Sequence, residues 1–122
     1  MNFKSIPLII KKYSKDIEVF SENSTLNKKI GRFTKNRIKK IRKMALFLKS
    51  EKYIIETGRG RIEADIKIYS FEPFHIDDKN ESLSDEIVCK NMSFKIVSCI
   101  ERDEANPIFY ISYGERIDDR DE

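Results

Sequence analysis

The sequence has one histidine, two cysteines and no tryptophan in 122 residues, and only four glycines and three prolines. No apolar run approaches the roughly 18–20 residues that a membrane-spanning helix requires. The stretch IPLII at residues 6–10 is too short for a signal-peptide core and is followed at once by Lys11 and Lys12. The expectation is a protein that acts where it is made, away from membranes. Cys89 and Cys99 are neither a CxxC pair nor part of a disulfide framework, and they suit a reducing cytoplasm. A nucleophilic Cys–His pair would have to use His75, which sits beside Asp77 and Asp78. A single histidine next to an acidic loop is more often solvated than catalytic or metal-bound.

Charge and aromatic residues are plentiful. Charged residues make up 37% of the chain and aromatics 11%, a composition that argues against disorder. A chain of this length is one domain and buries about 65% of its unfolded surface, enough for one core. We divide that domain, residues 1–122, into an N-terminal helical segment (1–14), a β core (15–117) and an acidic tail (118–122). The net charge of +3 conceals an asymmetry: residues 1–61 hold 17 Lys/Arg against 5 Asp/Glu, and residues 62–122 hold 7 against 16. A basic half joined to an acidic half suggests a nucleic-acid face or self-complementary association.

Periodicity places the elements. Ile6, Ile9, Ile10 and Tyr13 fall at helical spacing, with Ser5 as cap and Pro7 in the first turn, which predicts a short helix over 5–14. DIEVF (16–20) alternates as a strand and is followed by a polar loop, SENSTLNKK. Residues 34–48 fit either a helical stripe or a strand; a strand to about Leu48 is favoured. A short helix over 50–57 then follows, capped by Ser50 and stopped by Gly58. In RIEADIKIYS, Ile62, Ala64, Ile66 and Ile68 face one way, and Glu63, Asp65, Lys67 and Tyr69 the other. EIVCK (86–90) and SFKIVSCI (93–100) form a hairpin turning at Asn91-Met92, with Cys89 and Cys99 on opposite faces. IFYISY (108–113) is apolar on both faces, so it is central or lies at an interface. The sum is a mainly β fold. It is a small barrel or sandwich of five to six mostly antiparallel strands, with one short N-terminal and one short inserted helix.

Motifs for small-molecule chemistry fail on specific residues. GRGRIE (58–63) lacks the third glycine of a dinucleotide loop and precedes a strand rather than a helix. The Gly-Lys-Ser/Thr of a phosphate loop is absent. The segment DDKNESLSDE (77–86) lacks the glycine and carboxylate spacing of a calcium loop. What remains is KKIGRFTKNRIKKIRK (28–43), with nine basic residues, no acidic one, and Phe33 available to stack. Such a run is a solvated face, a charged protein contact or a phosphate-binding surface.

The order of features from about residue 31 to 117 resembles the head–tail connector proteins of tailed bacteriophages, also called head-completion or stopper proteins. The matching stretches are Gly31-Arg32-Phe33, Leu46-Phe47-Leu48, Gly60, Ala64-Asp65-Ile66-Lys67-Ile68-Tyr69, Asp85-Glu86-Ile87-Val88 and Phe94-Lys95-Ile96-Val97. Two positions depart from the pattern: Asn91 stands where the hairpin turn usually has glycine, and Leu48-Lys49-Ser50 replaces a proline-containing strand end.

The resemblance implies a structural subunit, not an enzyme, with no cofactor or metal. It implies a homo-oligomeric ring in the virion neck, assembled in the bacterial cytoplasm, with a portal or adaptor ring above and a tail-completion or tail protein below. Packaged double-stranded DNA would pass through without sequence-specific contact. The alternatives are a tail-completion or terminator subunit of the same neck, or a small nucleic-acid-binding module using residues 28–43. Candidate subunit- or DNA-facing cations are Lys28, Lys29, Arg32, Lys35, Arg37, Lys39, Lys40, Arg42, Lys43, Arg59 and Arg61. The candidate acidic counterpart comprises Asp77, Asp78, Glu81, Asp85, Asp118 and Asp119.

Overall fold

The computed structural model describes residues 5–27, 32–57, 60–76 and 84–117, with backbone alone for 22–27, 32–37, 49, 50 and 57. One helix, α1 (Ile6–Tyr13), precedes six strands: β1 (Lys15–Asn27), β2 (Arg32–Thr57), β3 (Gly60–Ser70), β4 (Glu86–Cys89), β5 (Met92–Arg102) and β6 (Phe109–Ile117). All pairings are antiparallel, and the sheet closes in the order β1-β2-β3-β6-β5-β4. The closing seam is short, running only from Glu18↔Val88 to Phe20↔Glu86. The chain is therefore the mainly β barrel its alternation suggested, in an irregular form.

Period-two alternation divides the apolar residues between two cores. Ile17, Val19, Met44, Ile66, Ile68, Ile87, Phe94 and Ile96 point inward and fill the barrel. Their neighbours Ala45, Tyr69 and Ile111 point outward, and α1 lays Ile6 and Ile10 over them together with Phe109. Burying each of those isoleucines is worth about 2 kcal/mol. β6 is central, as expected, lying between β3 and β5, but its apolar Phe109 and Ile111 both lie in the outer core, whereas Ser112 and Gly114 face the interior. The helix needs no side-chain cap. Ser5 makes no such bond, and at the other end Ser14 donates both its N–H and its hydroxyl to the Ile10 carbonyl.

Three sequence expectations change. Residues 50–57 are strand rather than helix, because Tyr53 to Thr57 pair with Ala64 to Gly60. That ladder satisfies the backbone of a β-branched, aromatic segment whose local propensity for a short helix was weak. Gly58 itself lies outside the described residues, and the turn into β3 uses Gly60 at φ +110, a conformation L side chains rarely adopt. The segment after Phe20 is also strand, paired with β2 as far as Asn27↔Arg32.

In the β4–β5 hairpin the turn residues are Lys90 and Asn91, at φ 52 and 63, which is the two-residue geometry that matches sheet twist. The turn therefore falls one residue earlier than the expected Asn91-Met92, and Cys89 pairs with Met92. A bulge between Ile96 and Ser98 then reverses the alternation, so Cys99 packs on the same inner cluster as Cys89. Both cysteines are half-buried free thiols.

Candidate interaction surface: two arms and a cleft at the barrel mouth

β2 is much longer than the barrel wall. Its ladder with β1 spans Lys15↔Met44 to Asn27↔Arg32, yet β1 bonds β4 only at Glu18–Phe20 and β2 meets β3 only from Ala45 onward. Residues 21–27 and 32–38 therefore form a two-stranded arm beyond the wall, about 20 Å long at the usual strand rise. At the other end of β2, Tyr53–Thr57 and Gly60–Ala64 form a second arm, since β3 joins β6 only from Ile66↔Gly114. Asp65 ends that seam by accepting the Arg116 N–H at 2.7 Å.

The basic run maps onto the first arm and its root. Lys28 and Lys29 lie outside the described residues, as do Arg59, Asp77, Asp78, Glu81, Asp118 and Asp119. The backbones of Arg32, Lys35 and Arg37 follow the arm along β2. Lys39, Lys40 and Lys43 are exposed. Lys39 meets Glu18 across the ladder at 3.6 Å, an exposed pair worth little. On the second arm Arg61 stands opposite Glu56 and pairs with it at 3.2 Å, and Lys52 approaches Glu63 at 3.9 Å.

Two candidates have structural duties instead. Arg42 is half-buried, with its guanidinium carbon 4.5 Å from the Phe74 ring centroid. Its Nη2 donates to the Glu72 carbonyl at 2.7 Å, and its Nε meets the Glu72 carboxylate at 3.3 Å. Asp85, expected on an acidic interface, is only 4% exposed. It accepts the Ser21 hydroxyl at 2.7 Å and the His75 N–H at 2.9 Å, while its backbone bonds the His75 carbonyl and the Ile96 N–H. Its carboxylate joins β1 to the segment after β3 and its backbone carbonyl adds β5, so this buried side chain is committed within the fold and does not face a neighbour. His75 serves that clasp through its backbone, whereas the two cysteines belong to the inner core.

Between the root of the basic arm and residues 71–75 lies an open cleft of about 1130 Å³. Ile38, Lys40, Ile41, Arg42 and Lys43 form one wall; Phe71 to His75 form the other. Ile41 is 56% exposed and Ile38 39%. The cleft thus pairs cations with apolar surface, an arrangement suited to holding an extended acidic segment.

Sequence reading missed a further group on the outer face. Lys67 lies 5.2 Å from the Tyr69 ring centroid and 6.0 Å from that of Tyr113, with Tyr53 stacked edge-on to Tyr113 at 5.8 Å. Burial pushes the Tyr53 phenol above its usual range. Burial alone would lower the Lys67 ammonium, but its hydrogen bond with Tyr69 and the neighbouring phenols outweigh this and raise it. The alternation of Lys67 with Tyr69 was visible in β3; the approach of Tyr53 depends on the second arm.

Among the described residues no three His, Cys, Asp or Glu side chains are grouped as metal ligands, and no helix is long and apolar enough to cross a membrane. No family model matches the chain, and no curated protein matches its sequence.

Proposed function

We propose that this chain is a structural subunit of a tailed-phage neck, a head–tail connector or stopper. It assembles as a ring beneath the portal or adaptor, extends the DNA channel, helps retain the genome and offers the tail its docking face. No catalysis is required of it. The observation that carries the reading is β2, one strand that builds the barrel wall and continues into arms at both ends. Arms of that kind reach neighbours; they do not enclose a substrate. The charge asymmetry supports a heterologous contact, in which a basic surface of one copy meets an acidic surface of the next around a closed ring.

The exposed cations at the root of the first arm also suit a second reading, a free-standing module gripping phosphates. Particles made without the protein separate the two. A neck subunit gives particles that package DNA but leak it and carry no tails. Normal particles, together with a free monomer whose DNA affinity falls steeply with salt, would favour the module. Imaging of the assembled neck by cryo-EM tests the ring directly.

A further inference from the structure

We infer that the cleft at the barrel mouth binds residues 118–122 of a second copy of the chain. The inference rests on the ring reading and names its contact.

Three observations lead to this occupant. First, Lys40 and Lys43 are exposed on the β2 wall of the cleft, one on each face of the strand, without an ion-pair partner among the described residues, whereas Arg42 is already occupied by Glu72 and Phe74. The wall therefore holds two uncommitted cations beside exposed Ile38 and Ile41. Second, that wall is also a sheet edge. β2 spends one edge on β1 and pairs with β3 only from Ala45, so among the described residues its other edge up to Met44 has no strand partner. An extended peptide can add there through backbone bonds while its side chains meet the cleft. Third, residues 118–122 read DDRDE, with four carboxylates and one arginine. They follow Ile117, the last residue of β6, in the sequence.

Geometry indicates a second copy as donor. β6 starts beside the cleft, where Tyr110 pairs with Ser70, and runs away from it to Ile117. Those seven residues carry the chain about 23 Å along the strand. The acidic segment thus leaves from the end of the barrel away from the cleft. A contact between unlike ends of two copies is heterologous, and it closes into a ring if its rotation permits.

The test is a titration of the labelled peptide Ile117–Glu122 into the full chain carrying Asp118→Asn, Asp119→Asn, Asp121→Asn and Glu122→Gln. Saturable binding is expected, weakened about tenfold or more by Lys40→Glu with Lys43→Glu, and likewise on raising salt from about 0.05 to 0.5 M. Both lysines are exposed, so the fold should survive, and an unchanged unfolding midpoint checks that it does. By sedimentation, the Lys40→Glu/Lys43→Glu chain and the tail-neutralised chain should each fail to self-associate, while their mixture forms a heterodimer.

Absence of saturable binding, or binding indifferent to the lysine reversal, overturns the inference. So does a wild-type tail that blocks its own cleft at all dilutions. Duplex DNA binding to the cleft in place of the peptide overturns it in favour of phosphate recognition. None of these outcomes touches the composition of particles lacking the protein, so failure of the contact and failure of the neck reading remain distinct.

Discussion

The Arg42 guanidinium carbon stands 4.5 Å from the centroid of the Phe74 ring, at the point where β2 leaves the barrel wall. The residue sits in a basic run, yet its charge is spent on Phe74 and on Glu72, which it meets through both carbonyl and carboxylate. Its replacement should therefore be felt in stability before assembly. Arg42→Ala is expected to cost about 2 kcal/mol, and Arg42→Lys about half of that, because lysine keeps the charge but lacks the planar fork. Urea unfolding provides the measurement. An unmoved midpoint for Arg42→Ala would mean the stacked geometry has no energetic content.

The clasp at Asp85 predicts an order of effects. Asp85→Ala leaves the part-buried Ser21 hydroxyl and His75 N–H without their acceptor and should cost about 2–3 kcal/mol. Asp85→Asn keeps one carbonyl acceptor and should cost less. Ser21→Ala removes a single donor and should cost about 1 kcal/mol. A Ser21→Ala loss as large as that of Asp85→Ala would show that the carboxylate does not link the segments.

Gly114 and Ser112 lie on the same inner face of β6 and should respond with opposite signs. A Cβ at Gly114 would stand 2.8 Å from Ile66 Cγ2 and 3.2 Å from Phe94 Cβ, so Gly114→Ala overpacks the core and should cost about 1–3 kcal/mol. Adding Ile66→Ala opens space there, and the double variant should lose less than the sum of the two single losses. The fully buried Ser112 hydroxyl finds no hydrogen-bond partner among the described residues, so Ser112→Ala should raise stability by about 1 kcal/mol. A destabilised Ser112→Ala would indicate a partner for that hydroxyl.

How much of this was legible depended on the range of the interaction. β3 was plain, because its alternation is local: Ala64, Ile66 and Ile68 face the core as their spacing implied. Residues 50–57 were misread because Ser50 and Gly58 imitate a helix start and stop, while the pairing that decides their state comes from β3. The reversal at Cys99 turns on one extra residue near Val97, which leaves no mark in composition. The basic run was visible as a run, but the roles within it were not. Arg42 is fixed by Glu72, 30 residues away, and Asp85 by Ser21, 64 residues away. The acidic setting of Asp85 suggested a surface, whereas the fold turned it inward.

The outer cluster around Lys67 predicts how stability changes at alkaline pH. The Tyr53 phenol is raised above its ordinary value by burial, so the folded state favours the neutral phenol. Its contribution is complete below the ordinary tyrosine pKa near about 10 and is lost as pH rises through the folded value. Lys67 is raised as well, since its bond with Tyr69 and the nearby phenols outweigh burial, so the folded state favours the ammonium. That contribution is complete below about 10.4 and is again lost as pH rises through the folded value. The two contributions therefore fail in the same direction, as pH rises. Urea midpoints should hold from about pH 7 to 9 and fall above about pH 10. Tyr53→Phe removes one titrating group and Lys67→Met the other, so each variant should show a shallower alkaline decline than the parent chain. Variants that lose stability with the parent's slope would locate the alkaline transition elsewhere in the fold.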